Sequence, residues 1–259
     1  MDPRRSSIVT GVRVFAADDE YRIALAELTA SAVVASDIHD ADIVIGSRRS
    51  KSRGDQLMLL SAGRGVPIDP PAASVVIDRA WFRTDVAQDL VGERGWFPRI
   101  EVEVTAPARE LHTVLTDVVA WVRTLADAEL RPGVGAATRA GGIAEARAGD
   151  AVVTLQIRQR ETGTPVLRVA GTGPRRVEIR IDDDRRTPRV RVADEAGELL
   201  LPMRWEDPAR VALRRAVEAC RSGAVVADFD EYVCDSSIAA QLLQLISEGD
   251  DGDRQPRIP

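Results

Sequence analysis

Near residue 99 the apolar pattern of the chain changes its period, and no other feature constrains the fold as much. Before that point short β-rich runs alternate with helical stretches. Strands are predicted over residues 12–17, 32–35, 41–46, 66–68 and 73–77, with helices over 19–30, 55–62 and 84–94. Such alternation is the pattern of a parallel sheet covered by helices. From residue 99 onward Ile100, Val102 and Val104 alternate with Glu101 and Glu103, which marks a strand with one buried face.

A helix is predicted over 108–128, where Leu111, Leu115, Val118, Val119, Val122 and Leu125 recur at three- and four-residue spacing. The Gly/Ala-rich stretch 132–149 reads as a connector. Strands over 151–159, 165–170, 175–181, 189–192 and 198–201, separated by turn residues, then read as an antiparallel meander with one apolar face. Helices over 207–221 and 231–248 close the pattern, the first with Asp207 as cap and Pro208 at its first position.

The expected fold class is therefore α/β plus α+β: a truncated Rossmann-like parallel sheet over 1–98, and an open, mostly antiparallel sheet with helices on one face over 99–249. Residues 250–259 are expected to be a flexible tail.

Composition narrows the chemistry. The 259 residues are 44% hydrophobic, enough for proper cores, and no apolar run approaches the roughly 20 residues of a membrane helix. No segment resembles a signal peptide, so a cytoplasmic location is expected. A net charge of -6 argues against nucleic-acid or membrane partners. Cys220 and Cys234 lack zinc-site spacing, so no metal is expected and both read as core residues. Lys51, His39 and His112 are the only lysine and histidines, which leaves amine or imidazole chemistry three candidates.

Four local stretches carry a resemblance. Residues 62–71, Ala-Gly-Arg-Gly-Val-Pro-Ile-Asp-Pro-Pro, resemble the Ala-Gly-Lys-His-Val-Leu-Val-Glu-Lys-Pro segment of the glucose-fructose oxidoreductase, inositol dehydrogenase and MocA family. Asp42-Ile43-Val44-Ile45 is similar to that family's strand ending at the nicotinamide. Asp117-Val118-Val119-Ala120-Trp121 resembles the element after its histidine motif, and residues 216–223 resemble its Phe-Val-Asp-Ala-Val-Arg-Thr-Gly element. The last predicted helix, from Ser236 to Ser247, is also similar.

The resemblance implies a nicotinamide-dependent oxidoreductase, and three departures from it imply lost chemistry. No Gly-x-Gly-x-x-Gly turn is present to let a pyrophosphate reach the backbone. The first strand, followed by Asp18 and Asp19, is read as the family's second, ribose-binding strand. Pro70 stands where the family has its lysine, and Val114 where it has its general-base histidine. Neither side chain can carry a proton.

Asp69, Glu110, His112 and Asp117 are the remaining acid/base candidates, for a rearranged oxidoreductase or a cofactor-free isomerase or dehydratase acting on a sugar or natural-product intermediate. Arg48, Arg49 and Lys51 form a basic loop that reads first as solvated and second as a phosphate contact. Asp18, Asp19 and Glu20 read as helix-capping acids before ribose ligands. Trp81, Trp96, Trp121 and Trp205 read as core or interface anchors.

The leading expectation is a catalytically degenerate protein with no cofactor. Family members associate through the open face of their C-terminal sheet, so this chain is expected to pair with a homologous full-length oxidoreductase subunit or with itself. The residues facing that partner would be Gln156, Arg158, Glu178, Arg180, Arg189 and Arg191. Ligand sensing or scaffolding is a further alternative.

Overall fold

A computed structural model describes residues 11–46, 56–64, 66, 74–93, 95–138, 140–182 and 185–248. They form two compact units, one of residues 1–78 with 206–230 and the other of residues 79–205 with 231–259. The division departs from the expected one at residue 98: the chain leaves the first unit after Asp78 and returns to it for one helix.

The first unit is built on a five-stranded parallel sheet of β1 (Val12–Ala16), β2 (Ala32–Val34), β3 (Ile43–Gly46), β4 (Leu57–Ser61) and β5 (Val75–Asp78), in the order β2-β1-β3-β4-β5. Three of its strands are apolar up to their last residue: Ile43-Val44-Ile45, Leu57-Met58-Leu59-Leu60 and Val75-Val76-Ile77 are all buried, as strands covered on both faces must be. β4 replaces the helix expected over 55–62. A run of four apolar residues has no period, so helix and buried strand read alike, and the position between β3 and β5 decides.

Helix α1 (Asp19–Ala26) follows β1, and α4 (Pro208–Ser222) brings Ala209, Ala212, Leu213, Ala216 and Val217 into the same core as Val14, Ile45 and Leu59. Asp207 caps α4 by accepting from the Ala209 N–H at 2.9 Å, with Pro208 next, as the sequence indicates.

β1 pairs with β2 on one side and β3 on the other, so the winding of the sheet reverses beside it, and ligands of doubly wound sheets bind beyond the carboxyl ends of the strands there. A sheet of order 3-2-1-4-5-6 that lacks its first strand has this same order. Ala17 and Asp18 follow β1, without a glycine turn.

The second unit holds a mixed eight-stranded sheet. Its strands are β6 (Arg99–Pro107), β7 (Leu130–Thr138), β8 (Gly141–Ala148), β9 (Ala151–Arg160), β10 (Val166–Thr172), β11 (Arg176–Ile181), β12 (Arg189–Asp194) and β13 (Gly197–Leu200). They lie in the order β13-β12-β11-β10-β6-β9-β8-β7, and β6 and β9 are the parallel pair. Helices α2 (Thr84–Leu90), α3 (Ala108–Ala126) and most of α5 (Asp228–Glu248) belong to this unit, with Val86, Leu90, Leu111, Leu115, Val119, Leu242 and Ile246 in one core with the inward face of the sheet.

β7 and β8 occupy the stretch expected to be a connector. Their glycines fit a sheet here because helix α5 passes over them: a Cβ on Gly142 would lie 2.5 Å from Ile246 Cβ, and one on Gly135 2.9 Å from Leu245 Cβ. Helix α3 is buried almost all round, with Val114, Ala120 and Trp121 at 0% exposure beside the expected stripe.

A buried charge cluster fixes α3 within this unit. Arg79 donates from Nε to Asp117 Oδ1, from Nη1 to Asp235 Oδ2 and from Nη2 to the Thr116 carbonyl, each at 2.7 Å. Asp117 accepts at its second oxygen from the Trp81 N–H at 2.7 Å, and Trp121 Nε1 donates to the Trp81 carbonyl at 2.7 Å. Phe82 and Tyr232 flank the guanidinium at 5.0 and 5.3 Å. Burial alone would lower the Arg79 pKa, but the two carboxylates outweigh it and hold the cation charged.

The opposite face of the sheet carries ion pairs that run across strands. Arg168 on β10 joins Glu103 on β6 at 3.0 Å and Glu178 on β11 at 2.9 Å, and Arg176 meets Glu178 at 2.9 Å. Arg180 pairs with Asp182 and Arg191 with Glu198.

Replacing Arg79 with methionine is expected to cost about 3–5 kcal/mol in urea denaturation, because it strands two buried carboxylates. The ion pairs give a pH dependence. Burial opposes the ionised form of Glu178, yet Arg168 and Arg176 outweigh it and hold its pKa below the ordinary value. A depressed folded pKa contributes stability above the unfolded value of about 4.3 and loses it as pH falls through the folded one. The thermal midpoint is expected to drop more steeply below that pH in the wild type than in Glu178→Gln.

Candidate functional site

In the first unit the place to look is the carboxyl end of β1, beside β3, where the sheet order reverses. A dinucleotide site needs small residues and free backbone N–H groups there. This chain supplies Asp18 at the cap position and Asp19 and Glu20 in the first turn of α1. Asp18 makes no side-chain capping hydrogen bond, so the acids favour the helix end through its dipole. The same negative charge repels a pyrophosphate. Tyr21, 1% exposed, donates its hydroxyl to Asp78 at 2.6 Å, joining α1 to the end of β5 with β3 and β4 between them in the sheet. Among the described residues, the end of β1 offers acids and no donors to a dinucleotide phosphate beyond the backbone.

Pro70, Asp69, Arg48, Arg49 and Lys51 lie outside the described residues.

At the amino edge of this sheet a cavity of about 350 Å³ is lined by Arg13, His39, Asp42, Gln56 and Cys220 among others. Arg13 and Asp42 are paired at 3.0 Å, and burial pushes the Cys220 thiol up, away from a reactive thiolate. It is the wrong edge for the ligand of a doubly wound sheet.

In the second unit α3 scatters the acid/base candidates. Val114 is fully buried in the core. His112 is exposed, and Glu110 is half-buried with Arg109 3.4 Å away. Asp117 is overturned as an acid/base group. It is 0% exposed, with both oxygens accepting from Arg79 and Trp81. Burial pushes its pKa up while Arg79 pulls it down, and neither oxygen faces a ligand. Periodicity could not reveal this role, because Arg79 follows an apolar strand and an aspartate and reads as a solvent residue. Asp235 was missed as well, because a charged residue within a helix reads as a solvent position.

The six residues expected to face a partner, Gln156, Arg158, Glu178, Arg180, Arg189 and Arg191, all sit on the uncovered face of the sheet. Glu178 is half-buried by its arginine neighbours and the others are exposed. Trp81 and Trp121 are core residues, whereas Trp96 and Trp205 are 66% and 70% exposed. Cys220 is half-buried and Cys234 exposed, so the expectation of two core cysteines fails. No group of metal-binding side chains occurs among the described residues.

A third feature was not foreseen. Around the carboxyl ends of β6 and β9 two depressions share Arg109. One, of about 360 Å³, is lined by Trp81, Glu110, Gly163 and Arg186, and the other, of about 540 Å³, by Gln159, Arg160 and Glu161.

No protein-family model and no curated protein matches the chain. Solved structures do. An oxidoreductase from Sinorhizobium meliloti superposes with a TM-score of 0.66 at 10% identity, over 92% of this chain and 98% of that one. The UDP-N-acetylglucosamine 3-dehydrogenase GnnA from Acidithiobacillus ferrooxidans gives 0.63 at 12% identity, over 92% and 98%. KijD10, a 3-ketoreductase from Actinomadura kijaniata solved with NADP and TDP-benzene, gives 0.57 at 14% identity, over 93% and 98%. Likeness at these identities establishes architecture: a Rossmann-like parallel sheet followed by a mixed sheet with helices, the two-domain fold of these oxidoreductases.

Proposed function

We propose that the chain is an oxidoreductase-fold protein without hydride-transfer activity, acting as a subunit that associates through the open face of its second sheet with an active homologue or with another copy of itself. The observation that carries this reading is the turn after β1. It holds no glycine turn for a pyrophosphate and carries Asp18, Asp19 and Glu20 at the start of α1. Val114 at the position of the family's base, buried at 0%, supports it independently.

The open face suits association. Arginines and acids alternate across β6, β10, β11, β12 and β13, so two such faces related by a two-fold axis can place unlike charges opposite one another.

Titration with NADH and with NADPH is expected to give no saturable binding up to ~1 mM, and a micromolar dissociation constant for either would overturn the loss of activity. Light scattering after gel filtration is expected to show a dimer at ~100 µM protein, or co-elution with a full-length homologue, and Arg189→Glu with Arg191→Glu is expected to abolish it. A chain that stays monomeric under both conditions would overturn the association.

A further inference from the structure

We infer that β7 is a self-association edge: two copies of the chain pair antiparallel along it, centred on Ala136, and join their second-unit sheets into one. This goes beyond the proposed function, because it uses the rim of the sheet and stands whether or not the open face finds a partner.

β7 ends the strand order and pairs with β8 alone, and among the described residues no hydrogen bond reaches its outer side. An edge of this kind offers a row of unmet donors and acceptors, and proteins blunt it with charge, proline or brevity. The opposite edge is blunted in this way: β13 has four residues, and its Glu198 pairs with Arg191. β7 has nine residues, and the seven from Pro132 to Thr138 carry no charge in a chain that is 29% charged. Its proline and its bulge lie together at Pro132 to Val134, so the five residues from Val134 to Thr138 run in regular register against β8.

Both sides of this stretch are apolar at the rim. On the open side Val134 is 68% exposed, Ala136 is exposed, and Ile143, opposite Ala136 on β8, is 49% exposed. On the covered side Leu245 of α5 lies half-buried over Gly135. The helix overhead accounts for the glycine. It does not account for the missing charge at Val134, Ala136 and Thr138, which alternate with Gly135 and Ala137 and so face the other way.

A second copy is the occupant this edge fits. Pairing centred on Ala136 sets Val134 against Thr138 of the second copy, Gly135 against Ala137 and Ala136 against itself. Residues of one face then meet residues of the same face, and no charge meets a like charge, since Arg131 falls beyond the paired stretch. The two-fold axis stands perpendicular to the sheet, which keeps both open faces on one side and clear of the contact. Five residue pairs make a smaller contact than the open face, so a method that accumulates a minor species is the one to use.

The test is disulfide trapping in the full chain, with Cys220→Ser and Cys234→Ser removing the native thiols. Facing Cα atoms of an antiparallel pair lie about 4.5–5.5 Å apart, within the span of a disulfide. Ala136→Cys is expected to form an intermolecular disulfide in a glutathione redox buffer at least about tenfold more than Ile143→Cys. The latter shares its face but would lie about 14 Å from its counterpart, three strand spacings away. Val134→Cys mixed with Thr138→Cys is expected to give the mixed disulfide in preference to either homodimer, and it keeps the test open if Ala136→Cys fails to fold. Trapping is expected to persist when Arg189→Glu and Arg191→Glu are added, which separates this edge from open-face association. Trapping no greater than at Ile143, the result for an edge that takes a strand of another protein, or trapping lost with the two arginines, would overturn the pairing.

Discussion

The second unit depends on a single cation buried among carboxylates. Arg79 is 8% exposed, and Asp117 and Asp235 are 0% and 1% exposed. None of the three could be buried alone, because an unpaired charge in such a setting costs several kcal/mol. Together with the Trp81 N–H and the Thr116 carbonyl they fix three segments at once: the residues after β5, the middle of α3 and the second turn of α5. Arg123 extends the cluster to Asp235 and Glu231. An apolar triad could fill the same volume, but it would not fix the rotation of α3 as hydrogen bonds at 2.7 Å do.

That rotation decides what α3 can offer. With Asp117 turned inward, Val114 is turned inward too, and the first turn of the helix is left with Arg109, Glu110 and the exposed His112. The helix thereby presents a cation and an acid at its start and a closed apolar body behind. At the end of β1, three acids stand at the start of α1 and favour it through the helix dipole.

Much of the architecture was legible in the sequence, and the failures have physical causes. The change of period near residue 99, the Asp207-Pro208 start of α4 and the alternation from β9 to β12 are local signals that the tertiary structure obeys. Leu57–Ser61 was unreadable because an apolar run without alternation does not distinguish strand from helix. Leu130–Thr138 and Gly141–Ala148 were unreadable because glycine signals a turn in isolation, and the reason for it here is a helix arriving from more than 90 residues later. Of the site, the loss of the glycine turn and of a histidine at Val114 was visible.

Because Asp235 stands 156 residues beyond Arg79, the partner that completes the cation's coordination reaches it only late in synthesis. Until α5 emerges from the ribosome, the nascent second unit holds an arginine with one carboxylate of two, and Gly135 of β7 and Gly142 of β8 have nothing lying over them. The intervening return of residues 206–230 to the first unit delays closure further. Such long-range completion makes for slow maturation and a window of exposed apolar surface, so a chaperone would find its main client state in the unfinished second unit.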